Sequence, residues 1–396
     1  MSEILVTGMG IVSALGCGKT ATFRALEAEK SAIGNHRFLK TSLQLPIGEV
    51  PYNNEELKQL IGYPSDKLTT RTILLGRIAL QEALEEGKIP TNTSKRIAFI
   101  SATTVGGMDK VEENCNNFLS DKQLCKYLNL QNCGANTSAI AEQYGGKFDY
   151  ITTISTACSS AANAIILGAN MIKMDYVDIA IVGGSECLSK FHLNGFNTLM
   201  ILDKNLCRPF DANRKGLNLG EGAAYLLLES EKSAKERNVN VLCKLSGYGN
   251  ACDAFHQTAS SPDGEGPFLA MQEALKESYL KAEDIDYVNA HGTGTSNNDE
   301  SEGMALKRIF GNKMPLISST KPFTGHCTSA AGSIESVISI LCLRNKFVPA
   351  NLHFKTESNI GFSPVIHNIY NQPLQHVMNN SFGFGGNDSS CIFSKY

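Results

Sequence analysis

The sequence predicts an α/β protein made of two copies of one strand-and-helix unit. Three observations predict it. Short β-branched and aromatic runs alternate with longer Ala- and Leu-rich runs along all 396 residues. The order of those runs starts again near Val241. And Ala157-Cys158-Ser159-Ser160-Ala161-Ala162 has a counterpart in His326-Cys327-Thr328-Ser329-Ala330-Ala331, each between a strand and an apolar helix. The two halves, 1–237 and 238–396, would each hold a mostly parallel sheet covered by helices. They would share one rigid interface, with a site where strand ends from both halves meet.

The first half opens on a strand, Ile4-Leu5-Val6-Thr7, running into a Gly8/Gly10 turn. That turn is not a dinucleotide loop: its spacing is G-x-G-x-x-S, and no acidic residue ends a second strand about 20 residues on. Helices follow at 20–30 and 69–87, the second with Ile73, Leu74, Ile78, Ala79 and Ala83 on one face and Gly87 as a stop. Residues 96–101 read as a strand and about 109–148 as polar helix and loop. Tyr150-Ile151-Thr152-Thr153-Ile154 is the next strand, and 161–173 an Ala-rich helix. Residues 178–185 form a strand ending in glycines, 225–228 another, and 230–237 a charged helix. The second half then repeats the order: strand 242–247, helix 266–279, strand 285–290, strand 316–319, helix 328–343, and a Gly turn with a last strand over 381–393. The turn Phe384-Gly385-Gly386-Asn387 echoes Val182-Gly183-Gly184-Ser185.

Composition narrows the function. A formal net charge of −3 gives no global attraction to nucleic acid or to an acidic membrane surface. The 12 cysteines form no C-x-x-C pair and no Cys/His ligand spacing, which argues against a structural zinc site and for reduced thiols in the cytoplasm. No apolar run approaches the ~18 residues that span a bilayer, and the N-terminus has no signal-peptide pattern.

Cys158 lies on the turn between a strand and a helix N-terminus, where free N–H groups and the positive dipole end favour a thiolate and can hold an oxyanion. His291 and His326 lie among Gly and Thr just past two other strands, two of only 8 histidines in the chain. Strand C-termini are where α/β sheets place ligands, so the three converge on a Cys/His/His site suited to acyl-thioester chemistry. Lys321, five residues before His326, reads either as a surface ammonium or as a charge that fixes the tautomer of a nearby imidazole.

These stretches, together with Val6-Thr7-Gly8-Met9-Gly10, Arg208-Pro209-Phe210-Asp211, Gly220-Glu221-Gly222-Ala223, His291-Gly292-Thr293-Gly294-Thr295, Asn298-Asp299, Ser319-Thr320-Lys321, Ala330-Ala331-Gly332 and Asn380-Ser381-Phe382-Gly383-Phe384-Gly385-Gly386, resemble the elongating Cys-His-His β-ketoacyl-acyl carrier protein synthases of the thiolase superfamily. The resemblance covers residues 4 to about 393 in the family's order. It implies a thiolase-like fold, a duplicated five-layer α/β/α/β/α arrangement. It implies that Cys158 accepts the growing acyl chain, and that His291 and His326 hold the malonyl thioester carbonyl during decarboxylation and support the enolate. The oxyanion hole would be the backbone N–H groups of Cys158 and Phe384. Lys321 and Glu335 would organise the site through His326 or water, Thr293 and Thr295 would contact the carrier's phosphopantetheine arm, and Phe384 would gate acyl access. The resemblance implies no cofactor of the protein's own and no metal. Its partners would be an acidic acyl carrier protein, docked by Lys67 and Arg71 ahead of Lys122 and Lys126, and a second subunit, either another copy or a chain-length-factor-like chain.

Three stretches depart from the family pattern: Asn387-Asp388 where Thr-Asn is usual, Ser296 where Pro is usual, and Cys327-Thr328-Ser329 in place of apolar residues and Gly. They bear on the substrate and the rate of acyl transfer and leave the Cys-His-His core intact: the chain lengthened is a fatty acyl chain or, the alternative, that of an aryl polyene or similar pigment, whose enzymes have comparable Thr-Ser-Ala-type loops. A degradative thiolase would need a second cysteine in the C-terminal Gly turn, which has none. A starter-type enzyme would carry Asn where His326 stands, and a non-catalytic chain-length partner would lack Cys158.

Overall fold

The computed structural model describes residues 3–118 and 120–396. Ten strands form the main path of one sheet: β1 Ile4–Ser13, β2 Ile97–Ala102, β3 Tyr150–Ile154, β4 Ile179–Glu186, β5 Gly222–Ser230, β6 Cys243–Cys252, β7 Tyr287–Asn289, β8 Leu316–Ser318, β9 His376–Gly383 and β10 Asn387–Ser394. Their order is β3-β2-β4-β5-β1-β6-β10-β9-β7-β8. Read outwards from the centre, both halves give the first strand, then the fifth, fourth, second and third of their own set. The duplication read in the sequence is therefore present strand for strand. The halves join where Ile4, Leu5 and Val6 pair with Leu245, Lys244 and Cys243.

The sheet is mixed rather than mostly parallel. Strands β2, β3 and β4 run parallel, as do β7, β8 and β9, whereas β1, β5, β6 and β10 pair antiparallel with their neighbours. In the second half β10 follows β9 through the short turn Phe384–Gly386, and such a hairpin makes the pair antiparallel.

Six helices matter for the site: α1 Arg71–Gly87, α2 Ser160–Lys173, α3 Lys190–Thr198, α4 Glu265–Ser278, α5 Ser296–Phe310 and α6 Ala331–Asn345. Helix α1 covers β1 and β5 from one outer side, and α4 covers β6 and β10 from the other. Helices α2 and α6 lie between, each packing on strands of both halves. This is the five-layer α/β/α/β/α arrangement. The largest apolar cluster runs through the middle layer, joining Ile165, Val182 and Leu226 to Ile334, Val337 and Val377.

Gly8 and Gly10 do not make a turn; β1 runs through them. A Cβ at Gly10 would lie 2.1 Å from the Ala79 carbonyl of α1, and at Gly249 of β6 2.2 Å from the Ala270 carbonyl of α4. The same device, bare strand backbone against a helix, seats the outer helix in both halves. Gly183 and Gly184 likewise lie inside β4 rather than ending it, and they do not correspond to Gly385 and Gly386, which form the β9–β10 turn. Strand β9 itself was hidden in the sequence because Asn379, Asn380 and Ser381 interrupt its apolar pattern while being fully buried.

Candidate active site

Three sequence-predicted stretches meet past the C-terminal ends of β3, β7 and β8. Cys158 immediately precedes Ser159, the residue that starts α2. The turn is tight. Ala157 has φ 51°, a left-handed value that a non-glycine residue holds only when its surroundings impose it. Ser160 imposes it: its hydroxyl accepts from Thr156 N at 2.8 Å and donates to the Ala157 carbonyl at 2.6 Å.

His326 brings Nε2 to 3.0 Å from the Cys158 sulfur. The His291 ring lies edge-on to that of His326, centroids 5.4 Å apart. Sulfur and both imidazoles thus face one cavity of about 270 Å³, lined also by Phe196, Thr293, Thr295, Phe382 and Phe384. Their donor atoms all lie within 4.8 Å of one another, a set that could also ligate a soft divalent ion.

Electrostatics sets the resting protonation. Burial pushes the Cys158 thiol up to about 12, against the pull of the Lys321 charge and of the Phe384 and Cys158 N–H groups. The helix-end context favours a thiolate, but desolvation outweighs it, so Cys158 rests as a thiol beside His326. Burial, then the Lys321 charge, holds both His291 and His326 well below the ordinary imidazole value. Both rings are neutral near pH 7.

Lys321 is 1 % exposed and is no surface ammonium. Its three N–H donors have three acceptors: Glu335 Oε1 at 2.5 Å, the His291 carbonyl at 2.5 Å and His291 Nδ1 at 3.2 Å. A cation donating to Nδ1 fixes the His291 proton on Nε2. Of the two routes the resemblance implied, His326 or water, the direct contact to His326 is not made: the Lys321 side chain runs towards the end of β7, so Lys321, and Glu335 through it, act on His291. His326 Nδ1 has no hydrogen-bond partner among the described residues, so nothing pins that ring's tautomer.

Several contributors were not singled out from sequence. Glu302 of α5 accepts from the His291 and Gly292 N–H groups at 2.8 and 2.7 Å, and Asp299 accepts from those of Thr293 and Gly294. Asn387 Oδ1 accepts from Asn163 and Asn250, tying the β9–β10 turn to α2 and β6. Phe196 of α3 stacks on Phe384 with centroids 5.8 Å apart. The Asn298-Asp299 pair was visible as a motif and Asn387 as a departure from the family pattern, though not as a tie between elements; Asn163, Asn250 and Phe196 carried no local signal.

Arg71 is not available for docking. It is 8 % exposed, and its guanidinium is bound to Glu221 at 2.7 Å and to the Val50 and Tyr52 carbonyls, so it holds the start of α1 in place. Lys67 is half-exposed and pairs with Glu142 at 2.7 Å. Lys122 and Lys126 are exposed.

The N-terminal domain model of β-ketoacyl synthase matches residues 1–234, and the C-terminal domain model matches residues 242–355. The chain belongs to the β-ketoacyl synthase family. Nodulation protein E of Rhizobium meliloti strain 1021 is 32 % identical over 407 residues, covering 99 % of each chain. The 3-oxoacyl-[acyl-carrier-protein] synthase 2 of Staphylococcus aureus strain COL is 30 % identical over 417 residues, covering 100 % of this chain and 98 % of its own. Among solved structures, the ishigamide ketosynthase/chain length factor superposes with a TM-score of 0.92 at 26 % identity, over 100 % of this chain and 99 % of that one. Against this ketosynthase scaffold the Cys158–His326 contact takes its place at the junction of the two halves. Among the described residues no helix is long and apolar enough to cross a membrane.

Proposed function

We propose that this β-ketoacyl synthase lengthens a thioester-bound acyl chain by two carbons, through decarboxylative condensation with a malonyl thioester on an acyl carrier protein. The observation that carries the reading is the 3.0 Å contact between the Cys158 sulfur and His326 Nε2, with His291 facing the same cavity. In the first stage Cys158 gives its proton to His326 Nε2 and attacks the incoming acyl carbonyl. The oxyanion is held by the Cys158 and Phe384 N–H groups, both of which already act on the sulfur. The carrier thiolate leaves with the proton from His326, and the acyl group stays on sulfur.

In the second stage His291 donates from Nε2–H to the malonyl thioester carbonyl. With the sulfur acylated, His326 no longer accepts from it, and its unpinned ring takes the tautomer that donates as well. Loss of carbon dioxide leaves the electron pair as an enolate held by the two rings. The enolate carbon attacks the acyl-Cys158 carbonyl, the C–S bond breaks with the electron pair on sulfur, and the thiolate takes up one proton from solvent, the proton that decarboxylative condensation consumes. The chemistry draws on decarboxylation and asks for no metal and no cofactor beyond the phosphopantetheine of the carrier.

Supporting the same reading, Thr293 and Thr295 line the cavity with their hydroxyls 2.9 Å apart, placed for a pantetheine amide. The free edge strand β3 exposes Tyr150 and Ile151, each 43 %, and offers a second subunit a strand to pair with. The partner is another copy or a chain-length factor, as in the ishigamide ketosynthase/chain length factor. The halves 1–237 and 238–396 then act as one cytoplasmic unit. A polyene-building role draws on one observation: at the departure next to His326, Thr328 and Ser329 both donate to the buried Glu186, where the family pattern has apolar residues and Gly. Transfer of a labelled acyl group from carrier thioester to wild-type and Cys158→Ala protein tests the core of the reading. Label on the wild type alone is expected; equal labelling of both refutes it.

A further inference from the structure

Asp388 stands at one of the departures from the family pattern and is 1 % exposed. Among the described residues neither of its carboxylate oxygens makes a well-formed hydrogen bond, the Gly383 N–H being only near enough to favour the charged form, and Asp253 Oδ1 has no partner either. The two side chains face each other over Gly266 at the start of α4: a Cβ there would lie 2.1 Å from Asp388 Oδ2 and 2.8 Å from Asp253 Cβ. An unpartnered buried carboxylate is strongly unfavourable, and two facing ones more so.

Asp253 is also fastened to the turn that carries Phe384. Its N–H donates to the Gly386 carbonyl at 2.8 Å, and four residues on, the Gln257 carbonyl accepts from Gly385 N at 2.8 Å. Asp253 Oδ2 accepts from Ser261 N at 2.7 Å, which leaves only Oδ1 free. The turn in this position stacks Phe384 on Phe196.

We propose that Asp388 is a positioning residue for acyl loading: its carboxyl shares one proton with Asp253, and that O–H···O link fastens the Phe384 turn in the closed stack. Loss of the proton to solvent leaves two facing carboxylates, which push the 253–257 segment and the turn apart and let a long acyl chain reach Cys158. The inference rests on the condensation reading above and adds to it a proton-dependent control of which acyl chains load.

The groups around Asp388 favour the shared proton. Burial, then Asp253, then more weakly Glu302 of α5 push its carboxyl up to about 8, and only the Gly383 N–H pulls it down. On α4, Glu265 is engaged with Arg308 at 2.7 Å. No basic side chain pairs with Asp388 or Asp253 among the described residues. The link is therefore made below about pH 8 and broken above it.

The test is the rate of Cys158 acylation by a long-chain acyl thioester divided by the rate with an acetyl thioester, followed through pH 8. The thiol chemistry is common to both and cancels. In the wild type the ratio should rise with pH by about tenfold, the equivalent of one charge-assisted hydrogen bond. In Asp388→Asn and in Asp253→Asn the new amide donates to the remaining carboxylate at every pH, so the ratio should stay flat and low in both. A flat wild-type ratio, or a rise unchanged in Asp388→Asn, overturns the proposal. Hydrogen exchange of the 383–387 amides, taken relative to the base-catalysed intrinsic rate and compared between wild type and Asp388→Asn over the same range, gives a readout that needs no turnover: only the wild type should lose protection above about pH 8. Absence of any acylation would count against the condensation reading, and the exchange experiment would still decide the role of Asp388.

Discussion

Replacing Lys321 by Met isolates the part of the site that fixes a tautomer. Lys321 is 1 % exposed, so the substitution keeps the volume of the stem and removes only the ammonium. Three acceptors lose their donor: Glu335 Oε1, the His291 carbonyl and His291 Nδ1. Breaking a buried pair by deleting one member ordinarily costs about 3–5 kcal/mol. Here the remaining partner can take up a proton, because burial already pushes Glu335 up to about 7, against the pull of Lys321. The cost should therefore fall towards about 1–3 kcal/mol, that of an unsatisfied buried polar group, which a core spanning both halves withstands. The catalytic cost is different in kind. Without a cation on Nδ1, the His291 proton distributes between both nitrogens, and the Nε2–H donor is no longer preorganised. Loss of one such donor costs about 10²–10³ in rate. We expect malonyl decarboxylation to fall by that factor while acyl transfer to Cys158, which uses His326, changes much less. Radiolabelled carbon dioxide release and acyl-enzyme formation, measured side by side, separate the two. Equal losses in both half-reactions, or decarboxylation close to wild type in a folded Lys321→Met protein, would refute the assignment of Lys321 to His291.

Three further outcomes follow from the same coordinates. Gly10→Ala and Gly249→Ala drive a methyl to within 2.1 and 2.2 Å of a helix carbonyl in equivalent places, so each should destabilise by at least about 1–3 kcal/mol, and by similar amounts, in thermal unfolding. Alkylation of Cys158 by a small haloacetamide should keep accelerating as pH rises beyond 9, because the thiol sits at about 12; a plateau already below pH 7 would instead reveal a thiolate–imidazolium pair. Asp388 is held up to about 8 in the folded protein against 3.8 for an ordinary aspartate, so the folded state keeps a proton that the unfolded chain releases, and stability falls as pH rises through that window. Asp388→Asn should therefore lose less stability than the wild type between pH 4 and pH 8, and melting curves that shift in parallel would contradict this.

The repeat and the arrival of Cys158, His291 and His326 in one cavity were legible in the chain, because strand ends and helix starts leave local patterns. What stayed hidden depends on distance. Arg71 carries the local look of a docking cation, but Glu221, 150 positions away, draws it inside. Gly8 and Gly10 look like a turn until α1 is known to press against them. Lys321 lies close to His326 in sequence yet reaches His291, because the short helix Lys321–Thr324 faces it across to the end of β7. Buried Asn379 and Asn380 of β9 break an apolar strand pattern for partners contributed by α5, α6 and β10.

Duplication also explains why the two histidines can differ in role while sharing a cavity. In each half the turn after the third strand leads into the central helix, which gives Cys158 before α2 and His326 before α6. Those helices approach so closely that a Cβ on Gly332 would lie 2.8 Å from Ala162 N. Small residues at both helix starts are thus the cause of the 3.0 Å sulfur–imidazole contact, and the repeat in the sequence is the trace of that requirement. His291 comes instead from the turn after the second strand of its half, where Glu302 holds its backbone and Lys321 its ring. One imidazole is placed by helix-to-helix contact and left free to change tautomer; the other is pinned by a buried cation. A site that must first accept a proton from sulfur and then donate two hydrogen bonds to an enolate needs one ring of each kind, and the doubled fold supplies them from non-equivalent positions.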